Sequence, residues 1–299
     1  MSQASSATNL PRARRKSPVI IDTHTHFYDP FRPQGVPWPT KENKLLYRTV
    51  LPEHLKPLAS PEGVVGTVVV EASRWLEDNQ WILDLARNDP FIVGFVSGVV
   101  PNQPTFASEL TRFAANPLFR GIRVGGGLLV DVDQGTFLAD MALLAEKDLT
   151  LDVLIFDSAH FAGLSILAER VPNLRIVINH VGNMKIDGAA LDPAWVERFQ
   201  NAAAHPNVFM KVSGLLENSI HRPAPLEVDF YRPLLDCLWD AFGEERLIYG
   251  SNWPVCEQAG DYAGCVSIVR SYFAEKGEEA SASYFWRNAK QVYKWIERG

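Results

Sequence analysis

The stretch VIIDTHTHFYDP, Val19 to Pro30, leads from a short apolar run into two histidines one residue apart. A β-strand sends residues i and i+2 to the same face, about 6–7 Å apart, so His24 and His26 point one way and Thr25 the other. Seven further short apolar runs follow along the chain. They are VVGTVVVEAS (64–73), FIVGFVSGVV (91–100), FRGIRVGGG (119–127), LTLDVLIFD (149–157), LRIVINHVG (174–182), VFMKVSGLL (208–216) and RLIYGSNWP (246–254). All are continuously hydrophobic rather than alternating, the pattern of parallel strands covered on both faces.

Amphipathic segments lie between most of these runs. GTFLADMALLAEKD sets Phe137, Met141, Leu144 and Ala145 on one stripe at helical spacing. HFAGLSILAERVPN carries Leu164, Leu167 and Ala168 and stops at Val171–Pro172, because the residue before proline disfavours helix. DPAWVERFQNAAAHP opens on Asp192 as a cap with Pro193 at the first helical position. Eight strands alternating with helices predict an α/β fold, a single-domain (β/α)8 barrel over residues 18–299. An open doubly wound sheet is the runner-up, weakened because RVGGGL lacks the GxGxxG spacing.

Composition narrows the classes of function. The 299 residues are 46% hydrophobic and 21% charged, with a formal net charge of −6. No long basic run lies inside the folded region, which argues against a nucleic-acid partner and against a basic helix for a membrane surface. No apolar stretch reaches the roughly 20 residues needed to span a bilayer. RARRK near the N-terminus is followed only by VII before Asp22, too short for the apolar segment of a secretory signal, so residues 1–17 read as a disordered basic tail. Cys237, Cys256 and Cys265 form no CxxC pair, which fits a reduced, cytoplasmic setting.

Polar residues gather where the strands end. His180 closes the sixth run and Asn252 and Trp253 the eighth, while Glu71, Arg123, Asp157 and Lys211 belong to the second, fourth, fifth and seventh. Buried polar groups cost several kcal/mol, roughly, unless paired, so this many at one level of a core demand a reason. In a barrel that level is the C-terminal rim, where active sites sit. His24, His26 and His180 are the candidate functional group, and Arg123 is either a ligand for substrate or a partner of Glu71. Lys211 and Asp157 read as structural by position, as do His54, His160, His205 and His221. Two long loops, YDPFRPQGVPWPTKENKLLYRT after the first strand and ENSIHRPAPLEVD after the seventh, leave the same rim as lids or binding loops.

Together DTHTHFYDP, FRGIRVGG, LRIVINHVGN, MKVSGL, LIYGSNWPV and FWRNAKQVYKW resemble the amidohydrolase superfamily, and within it the metal-optional lactonases of sugar-acid and pyrone lactones. The resemblance spans nearly the whole chain after the tail. It implies a (β/α)8 barrel and a hydrolase that opens a small lactone, with a lactone or carboxylate as its small-molecule partner. The dinuclear members carry a bridging lysine or glutamate on strand four and a histidine on strand five. Here those places hold Arg123 and Phe156–Asp157, so one divalent ion, Zn2+ before others, weakly held by His24, His26 and His180, or none at all, is expected.

A second departure is Asn252, where the family usually has a proton-accepting aspartate. An amide orients water but takes no proton, which leaves His180 or Glu71 as base. The leading reading takes His24, His26, His180 and Asn252 as catalytic, and Arg123, Trp253, Glu71 and Lys211 as substrate-binding, with Trp253 an apolar wall. Two rival readings keep the same fold: a non-oxidative decarboxylase of an aromatic acid, and a barrel that binds a small ligand without turning it over.

Overall fold

Each of the eight apolar runs forms a strand in the computed structural model, which describes residues 19–298. They are β1 Ile20–Thr25, β2 Val64–Val70, β3 Ile92–Ser97, β4 Phe119–Gly125, β5 Thr150–Leu154, β6 Arg175–Ile178, β7 Val208–Val212 and β8 Leu247–Tyr249. Every neighbouring pair is parallel and the order follows the chain from β1 to β8. Helices fill the gaps as the periodicity predicts, among them Phe137–Glu146, Ser158–Arg170 and Pro193–Ala203. The Asp192 carboxylate caps the last of these by accepting from the Ala194 N–H. The predicted tail, residues 1–17, lies outside the described residues.

The ring is closed at the very residues that raised the question of function. The Asn252 N–H donates to the His24 carbonyl at 2.8 Å, and the His26 N–H to the Trp253 carbonyl at 2.9 Å. Asp22 reinforces this seam, its carboxylate accepting from the backbone N–H groups of His24 (3.1 Å) and Ser251 (2.9 Å) and from the Tyr262 hydroxyl (2.9 Å). Between Asp22 and Thr25 the ladder to β2 carries one extra residue on β1. Such a bulge shifts the pleat by one. The odd spacing from Ile21 to His24 therefore puts both on the barrel's inner side.

The opposite end is plugged by the chain's own C-terminal segment. Ile21, Val68, Val93, Val177, Phe209 and Ile248 form one buried cluster with Val292, Tyr293 and Trp295. The Arg298 guanidinium donates to the carbonyls of Ala86, Asp89 and Ile92, and the Ile296 N–H to that of Val93. A filled floor leaves the other rim as the place for chemistry. Over that rim the loop after β1 is pinched at its base by two backbone bonds between Tyr28 and Val50. It lays Trp38 with its ring centre 5.8 Å from that of His26.

Candidate active site

β1 and the turn after β6 bring three imidazoles together. The His24 ring centre lies 4.9 Å from that of His26 and 4.3 Å from that of His180. All three are buried, and burial, with nearby Arg123 and Lys211, pushes their pKa values down, that of His26 to about 3. They are therefore neutral at physiological pH, each with one nitrogen lone pair to offer. Backbone strain accompanies the placement: His180 (φ 54°) and Asn252 (φ 60°) both sit in the left-handed region, which costs on the order of 1–3 kcal/mol for residues other than glycine. Glycines make room beside them. A Cβ on Gly250 would lie 2.8 Å from the His24 Cβ, and one on Gly214 would lie 3.0 Å from the His180 Cβ.

Each ring has its own support. The Ser213 hydroxyl lies 3.0 Å from His180 Nδ1. Beneath His24 the Lys211 ammonium is wholly enclosed, donating to Asp152 (2.7 Å) and the Thr23 carbonyl (2.9 Å) and lying 3.3 Å from His24 Nδ1. Two of its three protons thus go to protein oxygens. This corrects the expectation of Lys211 as a substrate ligand: it is the post under His24. Trp253 is likewise not a wall of the site. It is 0% exposed, donates through Nε1 to Glu257 at 2.7 Å and packs against Phe27, so the aromatic face toward the histidines is that of Trp38. Asp157 caps the helix Ser158–Arg170 by accepting from the His160 N–H.

Arg123 and Glu71 meet as one of the two sequence readings anticipates. Arg123 Nε donates to Glu71 Oε1 at 3.0 Å, and Nη2 to the Glu71 carbonyl at 2.7 Å. The pair commits Glu71 Oε1 to the guanidinium. Arg123 also lines a cavity of about 350 Å3 together with Arg74. A larger cavity, about 660 Å3, lies between the loops after β6 and β7, with Phe156, Met184, Trp195, Asn218 and Phe230 among its walls. None of the three histidines lines it, so the chemistry is placed by the clustered side chains rather than by volume.

One residue escaped the sequence reading. Glu217 sits in the short helix Leu215–Asn218 that follows β7, and its Oε1 accepts from Asn252 Nδ2 at 2.7 Å while Oε2 is buried without a partner. Burial raises its pKa to about 7. Asn252 Oδ1 in turn lies 3.2 Å from His26 Nε2. Because the Val70 carbonyl, 2.9 Å from His26 Nδ1, can only accept, the single ring proton belongs on Nδ1. Nε2 and Oδ1 then face each other as two lone pairs. Nothing in the sequence signals this: a glutamate on a polar loop is unremarkable until the fold sets it beside Asn252.

The chemistry of the donors bears on a metal. Among the described residues no three His, Cys, Asp or Glu side chains form a ready-made cage. The donor type nevertheless fits one borderline divalent ion: three neutral imidazoles, with His24 Nε2 buried and unpartnered. No helix among the described residues is long and apolar enough to cross a membrane.

An eight-stranded parallel barrel with a histidine cluster at its C-terminal rim defines a class, and the chain belongs to it: residues 21–295 match the amidohydrolase family. Among curated relatives, the L-fucono-1,5-lactonase of Burkholderia ambifaria is 33% identical over 287 residues, covering 92% of this chain and 95% of that protein. The L-fucono-1,5-lactonase of Burkholderia multivorans is 28% identical over 277 residues, covering 89% and 92%. Among solved structures, an amidohydrolase from Burkholderia multivorans with bound zinc superposes with a TM-score of 0.80 at 27% identity, covering 93% of this chain and all of that one.

Proposed function

We propose that this protein is a hydrolase that opens a sugar-derived lactone by attack of water on the ring carbonyl. The observation that carries the reading is the cluster of three neutral imidazoles beside Arg123 and Asn252 at the barrel mouth. The near full-length likeness to L-fucono-1,5-lactonases supports the substrate class. His24, His26 and His180 would hold one divalent ion, Zn2+ before others. Such an ion, when bound, supplies polarisation of a carbonyl and a more acidic water.

The chain's own residues do the rest. The lone pairs of the three rings serve either chemistry, holding an ion or taking a proton from the attacking water. As the water oxygen bonds to the carbonyl carbon, its proton passes to an imidazole nitrogen. That proton then goes to the ring oxygen as the C–O bond breaks, leaving a hydroxy acid. Arg123, already oriented by Glu71, offers its outer nitrogen to a substrate oxygen with a planar fork. Trp38 covers the site and limits the access of bulk water.

Asn252 gives the non-catalytic barrel its footing, because an amide cannot serve as base. The decisive assay is hydrolysis of L-fucono-1,5-lactone, other aldonolactones and 2-pyrone-4,6-dicarboxylate, with and without Zn2+ or Mn2+. Turnover that is abolished in His180→Ala while ligand binding persists upholds the enzyme. An inert wild type whose Asn252→Asp variant becomes active overturns it. Metal analysis of protein purified without added zinc decides the cofactor: full turnover with no bound metal removes the ion from the scheme.

A further inference from the structure

Within the lactone hydrolysis proposed above, we propose that Glu217 is a positioning residue that pins the Asn252 amide so that its oxygen, not its nitrogen, is presented beside His26. The geometry carries this. Asn252 has two side-chain partners, Glu217 Oε1 at 2.7 Å from Nδ2 and His26 Nε2 at 3.2 Å from Oδ1. Left alone with a neutral His26, the amide would turn over, since Nδ2 could then donate to the Nε2 lone pair. A carboxylate at Glu217 holds it the other way, because a carboxylate accepts only.

The orientation matters for water. Oδ1 and Nε2, 3.2 Å apart, form a pair of acceptors. With Nε2 free of any ion, a water giving one hydrogen to each keeps a lone pair directed away from both, toward a carbonyl carbon. Asn252 thus does the orienting half of an aspartate's work, and the proton leaves by the imidazole. With Glu217 protonated, its hydroxyl donates to Oδ1, the amide turns, and Nδ2 fills the acceptor on His26. The second Glu217 oxygen is enclosed, so Glu217 acts through Asn252 and not on the water itself. The raised pKa of its carboxyl, about 7, places the changeover near neutrality.

The test reads hydrolysis of L-fucono-1,5-lactone across pH 5–9 in four proteins. In wild type, kcat/KM rises with pH through about 7 as Glu217 ionises. Glu217→Gln, nearly isosteric and unable to titrate, loses that limb. Glu217→Leu loses about 100-fold in kcat, the scale of a misplaced reacting group, with KM changed by less than about three-fold. Glu217→Leu with Asn252→Asp regains most of it, because a carboxylate at 252 is an acceptor on both oxygens and needs no pin. A purely structural Glu217 gives no such rescue. Wild-type kcat in Glu217→Leu, an unchanged limb in Glu217→Gln, or failure of the double variant to recover overturns the inference. Should wild type open no lactone while folded, the proposed function falls first and takes this one with it.

Discussion

Two buried charges at the site have opposite consequences for stability. Glu217 has its carboxyl pKa raised from 4.5 to about 7, mainly by burial. The fold therefore holds this proton more tightly than the unfolded chain does. That contribution is whole below pH 4.5 and is lost as pH rises through 7, on the order of 3 kcal/mol in all. Glu217→Gln has no such loss, so its melting temperature relative to wild type should climb between pH 5 and pH 8. A flat difference over that range would contradict the buried carboxyl. Lys211 is the other case. It and Asp152 are both 0% exposed, with Tyr293 donating to Asp152 at 2.9 Å. Lys211→Met strands that carboxylate and should cost about 3–5 kcal/mol in urea unfolding. Adding Asp152→Asn should recover part of it, because no uncompensated charge then remains.

Strands one and eight act as a unit, and glycine is what lets them meet. Gly250 passes so close to His24 that an added Cβ would lie 2.8 Å from its Cβ and 3.2 Å from the Lys211 Cδ. Gly250→Ala should cost about 1–3 kcal/mol as overpacking. By shifting His24 it should also lower kcat about tenfold or more. Gly127→Ala, with nothing within 4 Å of its added Cβ, is the control and should change neither thermal stability nor turnover. At this scale the sequence was highly legible. The eight apolar runs all became strands, and the pairing of His24 with His26 followed from the period of two. What it could not show was the extra residue in β1 between Asp22 and Thr25, because a bulge is defined only against the partner strand. Nor could it separate Trp253 from Trp38. Both are aromatic residues near a rim, and only the chain path decides that one is buried behind the seam while the other faces His26.

The whole barrel depends on a floor made by its last residues. Val292, Tyr293 and Trp295 are 0%, 1% and 5% exposed, and full burial of such side chains is worth about 1.5–3 kcal/mol each. Their sum is of the same size as the net stability of a typical domain, about 5–15 kcal/mol. A chain ending at Arg287 should therefore fail to show a cooperative thermal transition by circular dichroism; a transition at the full-length temperature would show the plug to be dispensable. The sequence by itself determined the barrel, the rim and the three histidines, because strand period, run length and strand-end position are local properties of the chain. Only the tertiary structure decided that Lys211 stands under His24, that Arg123 is oriented by Glu71, and that Glu217 holds the amide of Asn252. Those contacts join residues 35 to 187 positions apart, and no local pattern encodes which side chains a closed ring of strands will bring face to face.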